Sequence, residues 1–122
     1  MTKQHIDVCS ALQESASRSY SNLVTRPTGV AVRAYIEQRL QQAIDCAVTI
    51  LDFSHVGMMD FSCADEIVAK LVLQHNPLTP TFVFRGLSES HLEAIDTVLE
   101  RHGMGLVSHE GDGNTYVVAM TH

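Results

Sequence analysis

The stretch 48–73, VTILDFSHVGMMDFSCADEIVAKLVL, constrains this chain more than any other part of it. Its first six residues, VTILDF, are mostly apolar and begin with three β-branched residues, the pattern of a strand buried on both faces. A short loop follows. Asp60-Phe61-Ser62-Cys63 then opens a segment in which Ala64, Ile67, Val68, Leu71 and Val72 recur at helical spacing. This arrangement sets a hydroxyl and a thiol at the positive end of a helix, beside a carboxylate. Such a place suits a phosphate, a regulatory switch or a reactive sulfur.

The same alternation continues on either side. Residues 21–25 read as a short strand that Arg26-Pro27-Thr28-Gly29 breaks, with Pro27 disfavouring helical dihedrals at Arg26 and Thr28 placed to cap the next helix. In that helix Val32, Ile36, Leu40 and Ala43 form a stripe, and Arg33 and Glu37 face water. The next helix runs from about Ser62 to His75. Asp65, Glu66, Ala69, Lys70 and Gln74 lie on its outer face, with Glu66 and Lys70 spaced to pair.

Residues 81–85 form a strand, and Ser88 caps a third helix, with Leu87 and Leu92 spaced as a hydrophobic staple. Leu92, Ile95, Val98 and Leu99 point inward. Arg101 and His102 suit the helix end, and Gly103 a left-handed cap. A strand at 105–108, a turn at 110–114 and a strand at 116–120 close the chain. Ile6, Cys9, Leu12 and Ala16 make residues 1–19 a weakly helical or flexible lead-in to a single domain at 20–122. The expected class is α/β: a mixed, partly parallel sheet of four or five strands packed with three or four helices.

A chain of 122 residues fits one domain with its own core. The net charge of −6, with eight scattered Lys and Arg, argues against nucleic acid and against an anionic membrane surface as partners. No apolar run approaches the ~20 residues that span a bilayer, and the first residues lack the apolar core of a signal peptide, so the cytoplasm is the expected compartment. Cys9, Cys46 and Cys63 are odd in number and form no C-x-x-C, which disfavours a disulfide framework or a structural zinc site. His102, His109 and Asp112 are the nearest approach to a metal set, without the spacing of one. No metal or cofactor is expected. Gly111-Asp112-Gly113 is too short for a phosphate loop and lacks its lysine.

The segment LDFSHVGMMDFSCADEIVAKL resembles the signature of the STAS domain, the fold of anti-sigma-factor antagonists. In that pattern an apolar strand ends in D-[LF]-S, and a short loop leads to D-S-S-G and an apolar helix. Residues 81–106 are similar to the family's last strand–helix unit. Phe61 stands where the family carries serine and Cys63 where it carries glycine. The opening hairpin is shortened to one strand, and the Tyr116 strand is extra. The resemblance implies a regulatory module that binds a protein partner, an anti-sigma factor or a histidine-kinase-like ATPase. It implies Ser62 as the phosphorylated switch and Ser54, His55, Asp60, Phe61, Ser62 and Cys63 as the docking face. It implies no catalytic residue.

From the residues alone the alternatives stay open. Ser62 is either the N-cap of its helix or a phosphorylation site. Asp60 either holds the loop by accepting backbone N–H groups or orients Ser62. Cys63 is either a small packed residue or, with its pKa lowered by the helix start and His55 as base, a redox sensor or nucleophile. Met58 and Met59 are core plugs or an adaptable contact surface. A ligand-sensing scaffold would need a pocket between the sheet and the Ser62 helix. An open edge strand would support a homodimer.

Overall fold

The computed structural model describes residues 2–43, 45–75, 81–109 and 114–120. Strand β1 (Thr2–Asp7) leads into helix α1 (Val8–Ser15), then α2 (Arg26–Gln42) and β2 (Cys46–Asp52). The helical segment 61–75 comprises α3 (Phe61–Ala64), a π-helical turn (Asp65–Ala69) and α4 (Lys70–His75). Strand β3 (Thr81–Arg85), helix α5 (Glu89–Glu100) and strands β4 (Met104–Ser108) and β5 (Thr115–Met120) complete the order.

The five strands form one mixed sheet in the order β1-β2-β3-β5-β4. The first three run parallel, and β5 and β4 are antiparallel to their neighbours. This is the expected α/β class. Ile6, Leu51, Phe82 and Phe84 lie on the face that joins the helices in the core with Leu12, Val32, Ile36, Ile67 and Leu99. Alternation turns Ile50 and Val83, which pair across β2 and β3, to the opposite face. β2 is therefore buried on both sides at its centre, as its apolar run requires.

Three elements differ from the sequence reading. Residues 2–7 are a strand paired along their length with β2, so the N-terminal segment is part of the sheet, and α1 follows it directly. TKQHID has the polar composition of an edge strand and carries no alternation that would reveal it. Residues 21–25 form no strand; they make one isolated bridge, Leu23 to Met59. α2 includes Arg26 and is preceded by Thr25, which has φ 71°.

The third difference is in the Ser62 helix. Glu66 and Ala69, read as outward, are both buried. The π-helical turn at Asp65–Ala69 is the reason: it widens the helix by one residue per turn and rotates these positions inward. Gly29 lets α2 pack closely here, since a Cβ on it would lie 3.1 Å from Cys63 Cα and Glu66 Cβ. The ends of α5 behave as expected. Ser88 accepts from the His91 amide, and Gly103 takes φ 69°. The turn residues 110–113 lie outside the described residues, but the strands on either side pair as a hairpin.

Candidate functional site

The loop between β2 and α3 is held from both sides. On one side the 21–25 segment runs along it. The Gly57 amide donates to Ser21 O, the Leu23 amide to Met58 O and the Asp60 amide to Leu23 O, at 2.8, 2.8 and 2.9 Å. The Met58 amide donates to Asn22 Oδ1 at 2.8 Å. On the other side the buried His91 reaches across from α5. Its Nδ1 accepts from the Ser88 amide, so Nε2 carries the proton and donates to Gly57 O at 2.6 Å. A loop held this way presents its side chains in fixed positions.

At the end of the loop Asp60 is the N-cap of α3. Its Oδ1 accepts from the Cys63 amide and the Ser62 hydroxyl, both at 2.8 Å, and its Oδ2 accepts from the Thr25 amide at 2.8 Å. Burial alone would raise the Asp60 carboxyl, but the bonds from Cys63, Thr25 and Ser62 outweigh it and hold it below the usual carboxylate range. The cap is thus Asp60, with Ser62 inside the first turn. This corrects the reading of Ser62 as cap. Asp60 both holds the loop and orients the serine.

The remaining site residues divide by exposure. Ser54 and His55 are exposed, with His55 Nδ1 3.5 Å from Asp7 Oδ1. Met58 is 61% and Phe61 50% exposed, while Met59 is buried. Ser62 is half-buried. Met58, Met59, Asp60, Phe61, Ser90, Glu93 and Ala94 line a groove of about 280 Å³ between the loop and α5. That groove does not lie between the sheet and the Ser62 helix, where a ligand-sensing scaffold would need it.

Cys63 does not belong to the docking face. Its side chain is fully buried, and its Sγ donates to Thr25 O at 3.2 Å. Burial, and then the Asp60 charge, push the thiol up to about 12. A nucleophilic or redox-sensing thiol needs accessible thiolate, so the structure removes the reactive reading of Cys63. Among the described residues no group of three or more His, Cys, Asp and Glu could hold a metal ion. His102 lies 3.7 Å from Asp65 instead, and Asp112 is outside the described residues.

Sequence reasoning missed His91, Thr25 and the ion cluster behind the serine. Glu66 Oε2 accepts from Arg26 at 2.6 Å and Lys70 at 2.7 Å, and Oε1 from Arg33 at 3.2 Å. Arg26 also pairs with Asp65 at 2.9 Å. Burial would raise the Glu66 carboxyl; Lys70, Arg26 and Arg33 hold it low instead. The Glu66–Lys70 spacing was the one readable signal, and it gave a surface pair rather than this cluster.

Asp60 and Glu66 fix the sign of the pH dependence. Both carboxyls are lowered in the folded state, so their contribution is present above the unfolded values and is lost as pH falls through the folded ones. Urea unfolding midpoints should be flat near neutrality and drop below about pH 4, where free carboxyls titrate. Asp60→Asn should lower stability at pH 7 by about 1–2 kcal/mol and flatten that drop. An unchanged slope in the variant would show that Asp60 is not held by these bonds.

No family model, curated protein or solved structure matches this chain. Among the described residues no helix is long and apolar enough to cross a membrane.

Proposed function

We propose that this protein is a regulatory protein–protein interaction module of the STAS-like kind, switched by phosphorylation at Ser62. The observation that carries the reading is the place of the Ser62 hydroxyl. It lies in the first turn of α3, bonded to Asp60 and adjacent in the chain to the exposed Phe61, which lines a groove with the exposed Met58. Met58 and Phe61 supply the apolar contact a partner would cover, and methionine adapts to an irregular surface. Ser54 and His55, earlier in the same loop, are also exposed and are part of the proposed docking surface. The partner is a protein, and the resemblance points to an anti-sigma factor or a histidine-kinase-like ATPase.

The chemistry of the switch follows from the cap. A phosphoryl group adds up to about two negative charges. On Ser62 it replaces a hydroxyl that donates to Asp60 and places like charge against a carboxylate held ionised. Repulsion loosens the bonds from Asp60 to Thr25 and Cys63, and an acidic partner surface is repelled as well.

A photo-crosslinking side chain at position 61 tests the docking face in the cell of origin. We expect one dominant protein adduct, absent when Ser62→Glu is added and absent from the same probe at Gln41, an exposed position on α2. Ser62→Ala should retain the adduct, because losing a half-buried hydroxyl costs only about 1 kcal/mol. Equal adducts from positions 61 and 41 would end the docking proposal.

A further inference from the structure

We propose that two copies of this chain pair edge to edge through β4, in antiparallel register about Leu106. β4 is the outermost strand of the sheet, bonded to β5 on one side and, among the described residues, to no strand on the other. The phase of its ladder follows from one hydrogen bond. The His109 amide donates to Thr115 O at 2.7 Å, continuing the register in which Ser108 faces Tyr116. Bonded and non-bonded pairs alternate along an antiparallel ladder. Gly105 and Val107 therefore bond inward to β5, and the amides and carbonyls of Leu106 and Ser108 point away from the sheet.

The two edges of the sheet are built differently. β1 carries the charged Lys3 and Asp7, of the kind that discourage edge pairing, with the polar His5 between them. β4 is MGLVS, with no charge and no proline, and its Val107 is 47% exposed. Each copy carries a net charge of −6, which opposes association over most of the surface. β4 offers a place where two copies meet without setting like charges of the strand against each other.

The strand also complements itself. A two-fold axis at Leu106 sets Leu106 against Leu106 and Met104 against Ser108, all with outward-pointing backbone groups. It sets Val107 against Gly105, which leaves room for the valine. The interface is isologous and closed, so it stops at two copies. A five-residue ladder falls short of the roughly 1,200–2,000 Å² of a standard stable interface. The dimer is accordingly weak and concentration-dependent, and added salt tightens it by screening the repulsion.

Sedimentation equilibrium of the full chain, from about 1 μM to about 1 mM, reads the association directly. We expect a monomer–dimer equilibrium that strengthens with salt. Ser108→Pro removes an outward amide without touching the ladder to β5, and Val107→Lys adds a charge at an exposed position. Each should weaken the dimer by about tenfold or more. Hydrogen exchange at the Leu106 and Ser108 amides should slow as concentration rises, with Val107 unchanged. A monomer across the whole range overturns the proposal. So does a dimer that survives both variants, or one dispersed by Phe61→Ser but not by Ser108→Pro.

Discussion

Glu66→Ala is expected to lower the free energy of unfolding by about 2–3 kcal/mol, because it removes a buried carboxylate shared by three cations, two of which reach solvent and are screened once it is gone. Glu66 is 1% exposed and holds Arg26, Arg33 and Lys70 through its two oxygens. Without it Lys70 loses its anion, and Arg33 keeps only Glu37 and Gln74. Arg26 retains Asp65, but its link to the centre of the helix is gone. Since whole domains are stable by only about 5–15 kcal/mol, a loss of this size is a large share of the total. Urea unfolding followed by circular dichroism measures it. Glu66→Gln, which keeps the shape and some of the bonds, should lose clearly less. Equal losses from alanine and glutamine would mean that the charge alone carries the contribution and that shape and the remaining bonds add nothing, against this expectation. The same measurement bears on the site, because Arg26 adjoins Thr25, whose amide binds Asp60.

The second large effect is expected at Gly86. It has φ 72°, a conformation that costs a residue with a Cβ about 1–2 kcal/mol. A Cβ there would also lie 2.7 Å from Asp52 Oδ1 and 2.8 Å from the Ser54 backbone nitrogen. Those two atoms are already bonded to each other at 2.9 Å, in the turn that starts the candidate docking loop. The backbone cannot yield as a flexible side chain would, so overpacking adds about 1–3 kcal/mol. Gly86→Ala should therefore lose about 3 kcal/mol or more. Its amide spectrum should shift at Ser54 and His55 while α1 stays unchanged. A loss under about 1 kcal/mol would mean that the close approach is not real.

Both effects lie where the sequence is hardest to read. A glycine after TFVFR announces a turn, but nothing local says that the end of β2 and the Ser54 turn press against it. Glu66 at four-residue spacing from Lys70 looks like an ordinary surface pair. Only the π-helical turn brings it inside, and no residue pattern announces a π turn. What could be read was whatever local physics decides. The apolar run of β2 resembles nothing else. Ser88 and Gly103 mark the ends of α5, and the polar turn between two β-branched segments marks the terminal hairpin. β1 escaped because an edge strand needs no alternation when only part of it meets the core. Within the site, Asp60, Ser62 and the exposed Phe61 were visible as a loop–helix junction. The sharing of bonds at that junction was not. Asp60 rather than Ser62 is the cap because its two oxygens serve Thr25 as well as the first turn, and Thr25 is far away in sequence. His91 was hidden for the same reason: its partner Gly57 lies on another element.

The account turns on whether the serine at the start of α3 is a switch. Intact-mass measurement after incubation with extract of the native cell and magnesium ATP addresses it most directly. The account predicts one added phosphoryl group on the wild-type chain, mapped to Ser62, and none on Ser62→Ala. An unchanged mass in the wild type, or an equal gain in the alanine variant, would contradict it.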